Sequence, residues 1–275
     1  MLPRLIESQG FNQLVKAKYG YVVYNQNDIY IGRAIEKYGE FSEAEVDLFR
    51  QICKSGDIVV EVGANIGTHT QVLSQLVRNS AGGGRIIAFE PQRIVFQTLC
   101  ANMAINSITN VECYPFAVGE KAGDLLLPDM NYHQPGNFGG VEINRFTQGQ
   151  KVQIVSLDEF LTLPALKLLK IDVEGMEHSV ISGAKQLITL HKPFLYVEND
   201  RLDKSQALIE LIFSLNYRLF WHKPKLFNPN NYTGCLENDY PNVISINMLG
   251  IPRNLSIELR EFEEITDPSF HPLRR

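Results

Sequence analysis

Short apolar runs alternate along most of this chain with stretches whose apolar residues recur every three or four positions. The runs at 58–62, 85–89, 111–115, 168–171, 194–197, 217–220 and 243–248 predict strands. The periodic stretches at 68–78, 93–105, 176–190 and 202–215 predict amphipathic helices. Strands that read as continuous apolar runs are covered on both faces. Their alternation with helices indicates an α/β, doubly wound, mostly parallel sheet. In such sheets ligands sit outside the carboxyl ends of the strands, so the residues just after each run carry most of the functional interest.

The flanks follow other rhythms. The segments 20–24 and 29–31 predict a short hairpin, and 41–52 predicts a helix. Ser42 and Glu45 fit a capping box at its start, which gives Glu45 a structural task. Residues 1–55 are therefore expected to be an N-terminal extension, 56–250 the ligand-binding domain, and 251–275 a tail with few periodic apolar positions. Residues 119–151 form a long insertion with a Gly/Asn/Pro-rich middle at 131–140. An insertion of that kind beside a strand end is more often functional than an average loop.

A chain of 275 residues is long enough for one sizeable core, and its net charge of −5 argues against duplex nucleic acid as the main partner. A local basic patch around Lys223 and Lys225 remains compatible with that charge. Cys53, Cys100, Cys113 and Cys235 are irregularly spaced, which favours reduced thiols over a disulfide framework or a zinc site. The first residues lack the apolar segment of a secretory signal, and no apolar run approaches the roughly 18 residues of a membrane span. A cytoplasmic protein with no membrane partner is expected; oligomeric state is left open.

The loop after the first core strand reads Glu61-Val-Gly63-Ala64-Asn65-Ile-Gly67-Thr68. It lacks the lysine of a phosphate-gripping loop. It also puts Asn65 and Thr68 where a dinucleotide loop needs its second and third glycines. A carboxylate at Glu61 repels a pyrophosphate and suits an ammonium or sulfonium. The next strand ends in Glu90-Pro91. An acid there can accept hydrogen bonds from both ribose hydroxyls, which an NAD enzyme also wants. Loop and acid together favour S-adenosylmethionine (SAM), a cationic ligand without phosphate, over NAD.

These stretches, with Phe89-Glu90-Pro91 and above all Leu169-Lys-Ile-Asp172-Val-Glu174-Gly175-Met-Glu177, resemble the FkbM family of class I SAM-dependent methyltransferases. Tyr38-Gly-Glu-Phe-Ser-Glu-Ala-Glu45, Phe116-Ala-Val-Gly119 and Ser156-Leu-Asp158 are similar to that family too, so the resemblance covers roughly 28–200. It implies a Rossmann-like sheet of seven strands with one antiparallel, a SAM cofactor, and transfer of a methyl group to a hydroxyl oxygen of a sugar or secondary metabolite. Carried over, Glu61, Gly63 and Gly67 line the methionine end with Ala64, Asn65 and Thr68 in the same loop. Glu90, followed by Pro91, holds the ribose, and Ala117 and Val118 flank the adenine.

Methyl transfer to oxygen asks for alignment and for a group that takes the hydroxyl proton. Asp172 closes the fourth core strand, where the methyl group is expected. Asp172, Glu174 and His178 are the leading catalytic group, with Glu174 and His178 sharing a helix face if both are helical. The competing reading of Asp172 is a helix N-cap. Glu177 reads as a solvated helix residue, Glu198 as a substrate-binding or assisting acid, and Asp200 as the start of the next helix. Asp172, Glu198 and Asn199 are hard oxygen donors compatible with Mg²⁺, but no spacing rule supports an ion and no metal ligand is assigned. His69 and His133 are candidates for facing the site; His191 and His222 read as peripheral. Trp221 and the 227–232 stretch read as a packed surface loop in preference to a substrate wall. The competing functions are an N-methyltransferase, for which the usual N/D-P-P-[YF] motif is missing after the fourth strand, and a non-catalytic binding protein of the same fold.

Overall fold

The computed structural model describes every residue except 7–8, 81, 142–145, 260 and 275. The chain opens with an antiparallel hairpin, β1 (Asn12–Ala17) and β2 (Gly20–Asn25), in the register Asn12↔Asn25 to Ala17↔Gly20. The strand expected at 29–31 does not form. The Asp28 carboxylate accepts the Tyr30 N–H at 2.9 Å and the Asp28 carbonyl accepts the Arg33 N–H at 3.0 Å, which turns the chain into α1 (Ile31–Tyr38). Helix α2 (Glu43–Ile52) follows.

The core elements then run β3 (Ile58–Val62), α3 (Thr68–Val77), β4 (Arg85–Phe89), α4 (Arg93–Ile105) and β5 (Val111–Tyr114). A three-stranded side sheet comes next, from β6 (Ala117–Val118), β7 (Gly123–Leu127) and β8 (Gln150–Val155) in the order β6-β8-β7. It organises both ends of the long insertion; 142–145 lie outside the described residues. The chain continues through α5 (Leu157–Phe160), β9 (Leu168–Ile171), α6 (Glu177–Ser182), α7 (Lys185–His191), β10 (Phe194–Glu198), α8 (Leu202–Ser214), β11 (Tyr217–His222), β12 (Asn247–Pro252) and β13 (Glu263–Ile265).

The main sheet has the order β13-β11-β12-β10-β9-β3-β4-β5. Strands β5, β4, β3, β9 and β10 pair in parallel, and β12 is antiparallel to both β10 and β11. The seven expected strands are therefore present with one reversed among them, and the tail adds β13 as an eighth, antiparallel to β11. The sheet is covered on both faces. Val60, Val62, Ile87, Phe89, Leu169 and Ile171 enter one apolar layer, while Val59, Ile86, Ala88 and Leu168 enter the other. This alternation is why the runs carry no polar face.

Two boundaries differ from the periodic reading. The last central strand starts at Asn247 because 243–245 bonds instead to the 224–226 segment: Leu226 N–H to the Val243 carbonyl at 3.2 Å, and Ser245 N–H to the Pro224 carbonyl at 3.0 Å. The helix expected over 176–190 breaks between Ser182 and Lys185. A Cβ at Gly183 would lie 2.1 Å from the Gly119 carbonyl oxygen, so the side sheet crosses against the helix at that point. Among the described residues no helix is long and apolar enough to cross a membrane.

Candidate active site

The turn from β3 into α3 is shaped by two glycines with different tasks. Gly63 has φ +83°, and a Cβ there would sit 1.7 Å from the Asp172 carbonyl oxygen. Only glycine lets this turn run against the end of β9. The N–H groups of Gly63 and Ala64 both donate to the Phe89 carbonyl at 3.0 Å, tying the loop to β4. Gly63, Ala64, Asn65, Thr68 and His69 line a cavity of about 390 Å³ at the carboxyl ends of the strands. Gly67, expected at the methionine end, is not part of that lining. Its Cβ position meets Leu99 at 2.6 Å, so it serves the packing of α3 on α4.

Glu90 follows β4 and is 4% exposed. Its two oxygens accept the N–H groups of Asn65 (3.0 Å) and Gln92 (2.9 Å). Burial pushes its carboxyl up to about 7 against those two bonds, which pull it down. A neighbouring cavity is walled by Phe89, Pro91, Phe116, Ala117, Val118 and Met176. It shares Gly63, Glu90, Gly139, Asp172 and Glu174 with the main cavity, so a ligand can span both. The loop, Glu90 with Pro91, and the Ala117-Val118 pair thus meet around one continuous cleft.

Glu61 lies on the wall of the main cavity, but its charge is not free. Thr70 Oγ1 donates to it at 2.6 Å and Lys170 Nζ stands 3.5 Å away. The same ammonium is 3.2 Å from Asp172. Lys170 is 2% exposed, and despite burial its neighbours Asp172, Glu61 and Glu45 hold its pKa above the usual lysine range. Sequence reasoning passed over Lys170, although a charge inside the apolar strand Leu168-Leu169-Lys170-Ile171 was the available signal. It gave Glu45 a capping task, but that residue is 5% exposed and lines the same cavity. Ser42 is left-handed, with φ +47°, and makes no side-chain bond to the backbone of α2. Its hydroxyl donates instead to Glu45 Oε1 at 2.7 Å, a side-chain pair in place of the expected capping box. Burial raises the Glu45 carboxyl to about 7. His69, 5% exposed between the rings of Phe41 and Phe49, has no partner at Nε2 and is kept neutral by burial.

The strand-end acids converge. The register Ile171↔Val197 makes Asp172 and Glu198 lateral neighbours, and carboxylate oxygens of Asp172, Glu174 and Glu198 lie within 4.8 Å of one another. Arg201 pairs with Glu174 and, at 2.7 Å, with Asp200. Burial first, and then the Asp172 charge, push Glu174 up to about 8 and Glu198 well above the usual carboxylate range. Asp172 does not cap a helix, because the cap position of α6 is Met176. The Asp200 expectation is off by one: Arg201 holds the cap position of α8.

Other expectations are corrected. His178 is exposed on the first turn of α6 and is not among the cavity residues. Glu174 has φ +51° and lies outside the helix, so the shared face with His178 does not form. Glu177 is buried, not solvated, and accepts the Gly175 N–H at 2.8 Å. Asn199 is buried, its amide nitrogen donates to Ser205 at 2.9 Å and to the Met248 sulfur, and it does not line the cavity with Asp172 and Glu198. His133 packs edge-on against Phe11, and the insertion instead contributes Asn137, Gly139 and Gly140 to the cavity. Trp221 is buried against His271. The outer wall comes from Tyr30, Ile31, Phe41, Leu226, Val243 and Ser245.

Comparison with known proteins bears on this site. The family model described as the methyltransferase FkbM domain matches residues 61–219, more than half of the chain. "Methyltransferase 1" of Beauveria bassiana is 29% identical over 150 residues; the match takes in 46% of this chain and 57% of that protein, so the chain spans little more than half of the relative's length. Among solved structures, methyltransferase FkbM from Methylobacillus flagellatus aligns with a TM-score of 0.49 at 18% identity, covering 75% of this chain and 50% of that one. A methyltransferase from Streptococcus mutans, solved with S-adenosylhomocysteine, aligns at 0.46 with 11% identity over 76% of this chain and 96% of its own. By the match over 61–219, the chain belongs to the FkbM family of SAM-dependent methyltransferases.

Proposed function

We propose that this protein transfers a methyl group from SAM to a hydroxyl oxygen of a small-molecule acceptor, a sugar or a secondary metabolite. The observation that carries the reading is the cleft itself. Its nucleoside end offers Glu90, fixed by two backbone donors, beside the apolar slot of Phe116, Ala117 and Val118. Its wall carries Glu45, Glu61, Asp172, Glu174, Glu198 and Asp200 against Lys170 and Arg201. So many acids disfavour a phosphate, and those that burial keeps protonated ionise against a bound cation, which suits a cationic, phosphate-free nucleoside. Glu90 and the slot would hold its adenosine, and Gly63, Ala64 and Asn65 its chain end. When bound, SAM supplies a methyl group on a positively charged sulfur, an electrophile that needs no further activation.

The remaining work falls to this chain. Asp172 stands at the end of β9 with its side chain 42% exposed toward the cavity, and Lys170 orients its carboxylate from below. In this reading Asp172 takes the hydroxyl proton. The acceptor enters under the wall formed by Tyr30, Phe41, Leu226 and Val243, which excludes water around the reacting pair. Placement in such a pocket is worth up to about 7–11 kcal/mol of barrier in well-oriented reactions.

Calorimetric titration of SAM into the wild type and Glu90→Ala tests the cofactor assignment. Incubation with methyl-labelled SAM and hydroxylated acceptors, with the product's methyl located by NMR, tests the chemistry. Binding that collapses in the variant, with label on oxygen, supports the proposal. Label on nitrogen, or a wild type that ignores SAM, overturns it.

A further inference from the structure

The acids at the ends of β9 and β10 are unevenly compensated. Asp172 has Lys170 at 3.2 Å, and Glu174 and Asp200 share Arg201. No ion pair among the described residues reaches Glu198. Its Oε2 is shielded from solvent without a hydrogen-bond partner, and Asp200 Oδ1 is in the same condition. The same cavity holds the unpartnered Nε2 of His69, itself 5% exposed. Buried polar atoms without partners are unfavourable, and a ligand that brings the missing donors removes that penalty. Outward from the acids the cavity meets Tyr30, Phe41, Leu226 and Val243, which can cover an organic skeleton. Aromatic faces also attract an ammonium group.

Resting on the methyltransferase reading above, we propose that the acceptor carries an ammonium group beside the hydroxyl that is methylated, as in an amino alcohol or amino sugar, and that Glu198 and Asp200 hold this ammonium. A metal ion fits these acids less well. The Arg201 guanidinium already bonds two of them and opposes a divalent charge, and Asn199 does not line the cavity. The pairing also directs the chemistry. An ammonium held between carboxylates has no lone pair, so the new bond forms from the hydroxyl oxygen to the methyl carbon. The carbon–sulfur bond breaks with its electron pair staying on sulfur, and the hydroxyl proton passes to Asp172.

The test uses matched probes: 2-amino-1-phenylethanol and its neutral counterpart 1-phenylethane-1,2-diol. Each is titrated against the full chain with and without S-adenosylhomocysteine. The amine is expected to bind at least about tenfold tighter, as one charge-assisted hydrogen bond allows. Glu198→Gln should bring the two probes to within about threefold while S-adenosylhomocysteine still binds. Equal binding of the probes, no binding of either, or a preference that survives Glu198→Gln overturns the proposal. Competition between Mg²⁺ and the amine assigns the acids to a metal and overturns it too. If S-adenosylhomocysteine fails to bind while the amine preference persists, the methyltransferase reading falls and the ammonium site stands.

Discussion

Glu90 shows how much one side chain carries here. It braces the cofactor loop through Asn65 and presents its carboxylate to the cleft. If Glu90 holds the ribose as proposed, Glu90→Ala is expected to cost SAM the hydrogen bonds to its hydroxyls, about 2–4 kcal/mol or roughly 30- to 1000-fold in Kd. Calorimetry on Glu90→Ala measures that loss. Its protonation also has a consequence for folding. Glu90 and Glu45 are both raised from 4.5 to about 7. The folded state therefore holds more protons than the unfolded chain between those values. Stability contributed by these groups is full below pH 4.5 and is lost as pH rises through 7. Thermal unfolding of the ligand-free protein is expected at lower temperature at pH 8 than at pH 5. Glu45→Gln and Glu90→Gln together should flatten that dependence.

Strand β9 and the residue that follows it deliver two opposite charges from positions two apart, a buried ammonium at Lys170 and a cavity-lining carboxylate at Asp172. Replacing Lys170 by Met leaves Glu61 and Asp172 without their cation. Breaking a buried pair this way destabilises by about 3–5 kcal/mol. Urea unfolding should show that loss, and adding Glu61→Gln should recover part of it. The turn after β3 tolerates as little. Gly63→Ala combines a left-handed backbone with a Cβ 1.7 Å from the Asp172 carbonyl oxygen, so β3 and β9 cannot keep their register. A loss of at least about 3 kcal/mol of unfolding free energy, read by urea denaturation, is expected. The elements around this turn were legible because a strand, a glycine turn and a periodic helix each have a local signature. Lys170 carried a local signal, a charge within an apolar strand, whereas Glu45 reaches the site only because α2 packs against the sheet. No local pattern reports that packing.

The wall over the cavity is assembled from three distant parts of the chain. Asp239 pairs with Arg33 and Lys37 of α1, Tyr240 donates to the Tyr30 carbonyl at 3.0 Å, and the Tyr132 carbonyl accepts from Asn25 and Asn27 at 3.0 Å each. Asp239→Asn should release the 226–245 segment from α1. Hydrogen exchange is expected to quicken in both, with little change in β3, β4 and β9. SAM should bind nearly as before, because its expected contacts lie on the loop, Glu90 and the apolar slot. Acceptor binding should weaken.

Local sequence was enough for the seven core strands and the helices between them, the loop at 61–68, and the acids at 90, 172 and 198 as strand-end residues. Each lies at a strand end that hydrophobic period alone can find, and the parallel fold gathers strand ends on one edge. The fates of His178 and Glu174 depended on a left-handed residue and a late helix start, which periodicity does not encode. The break at Gly183 and the late start of β12 came from segments far away in sequence pressing on those places. The outer wall of the cavity likewise exists only where α1, the insertion and the 226–245 segment meet. Contacts between distant segments lower the free energy of the whole chain together, so no short stretch carries their trace.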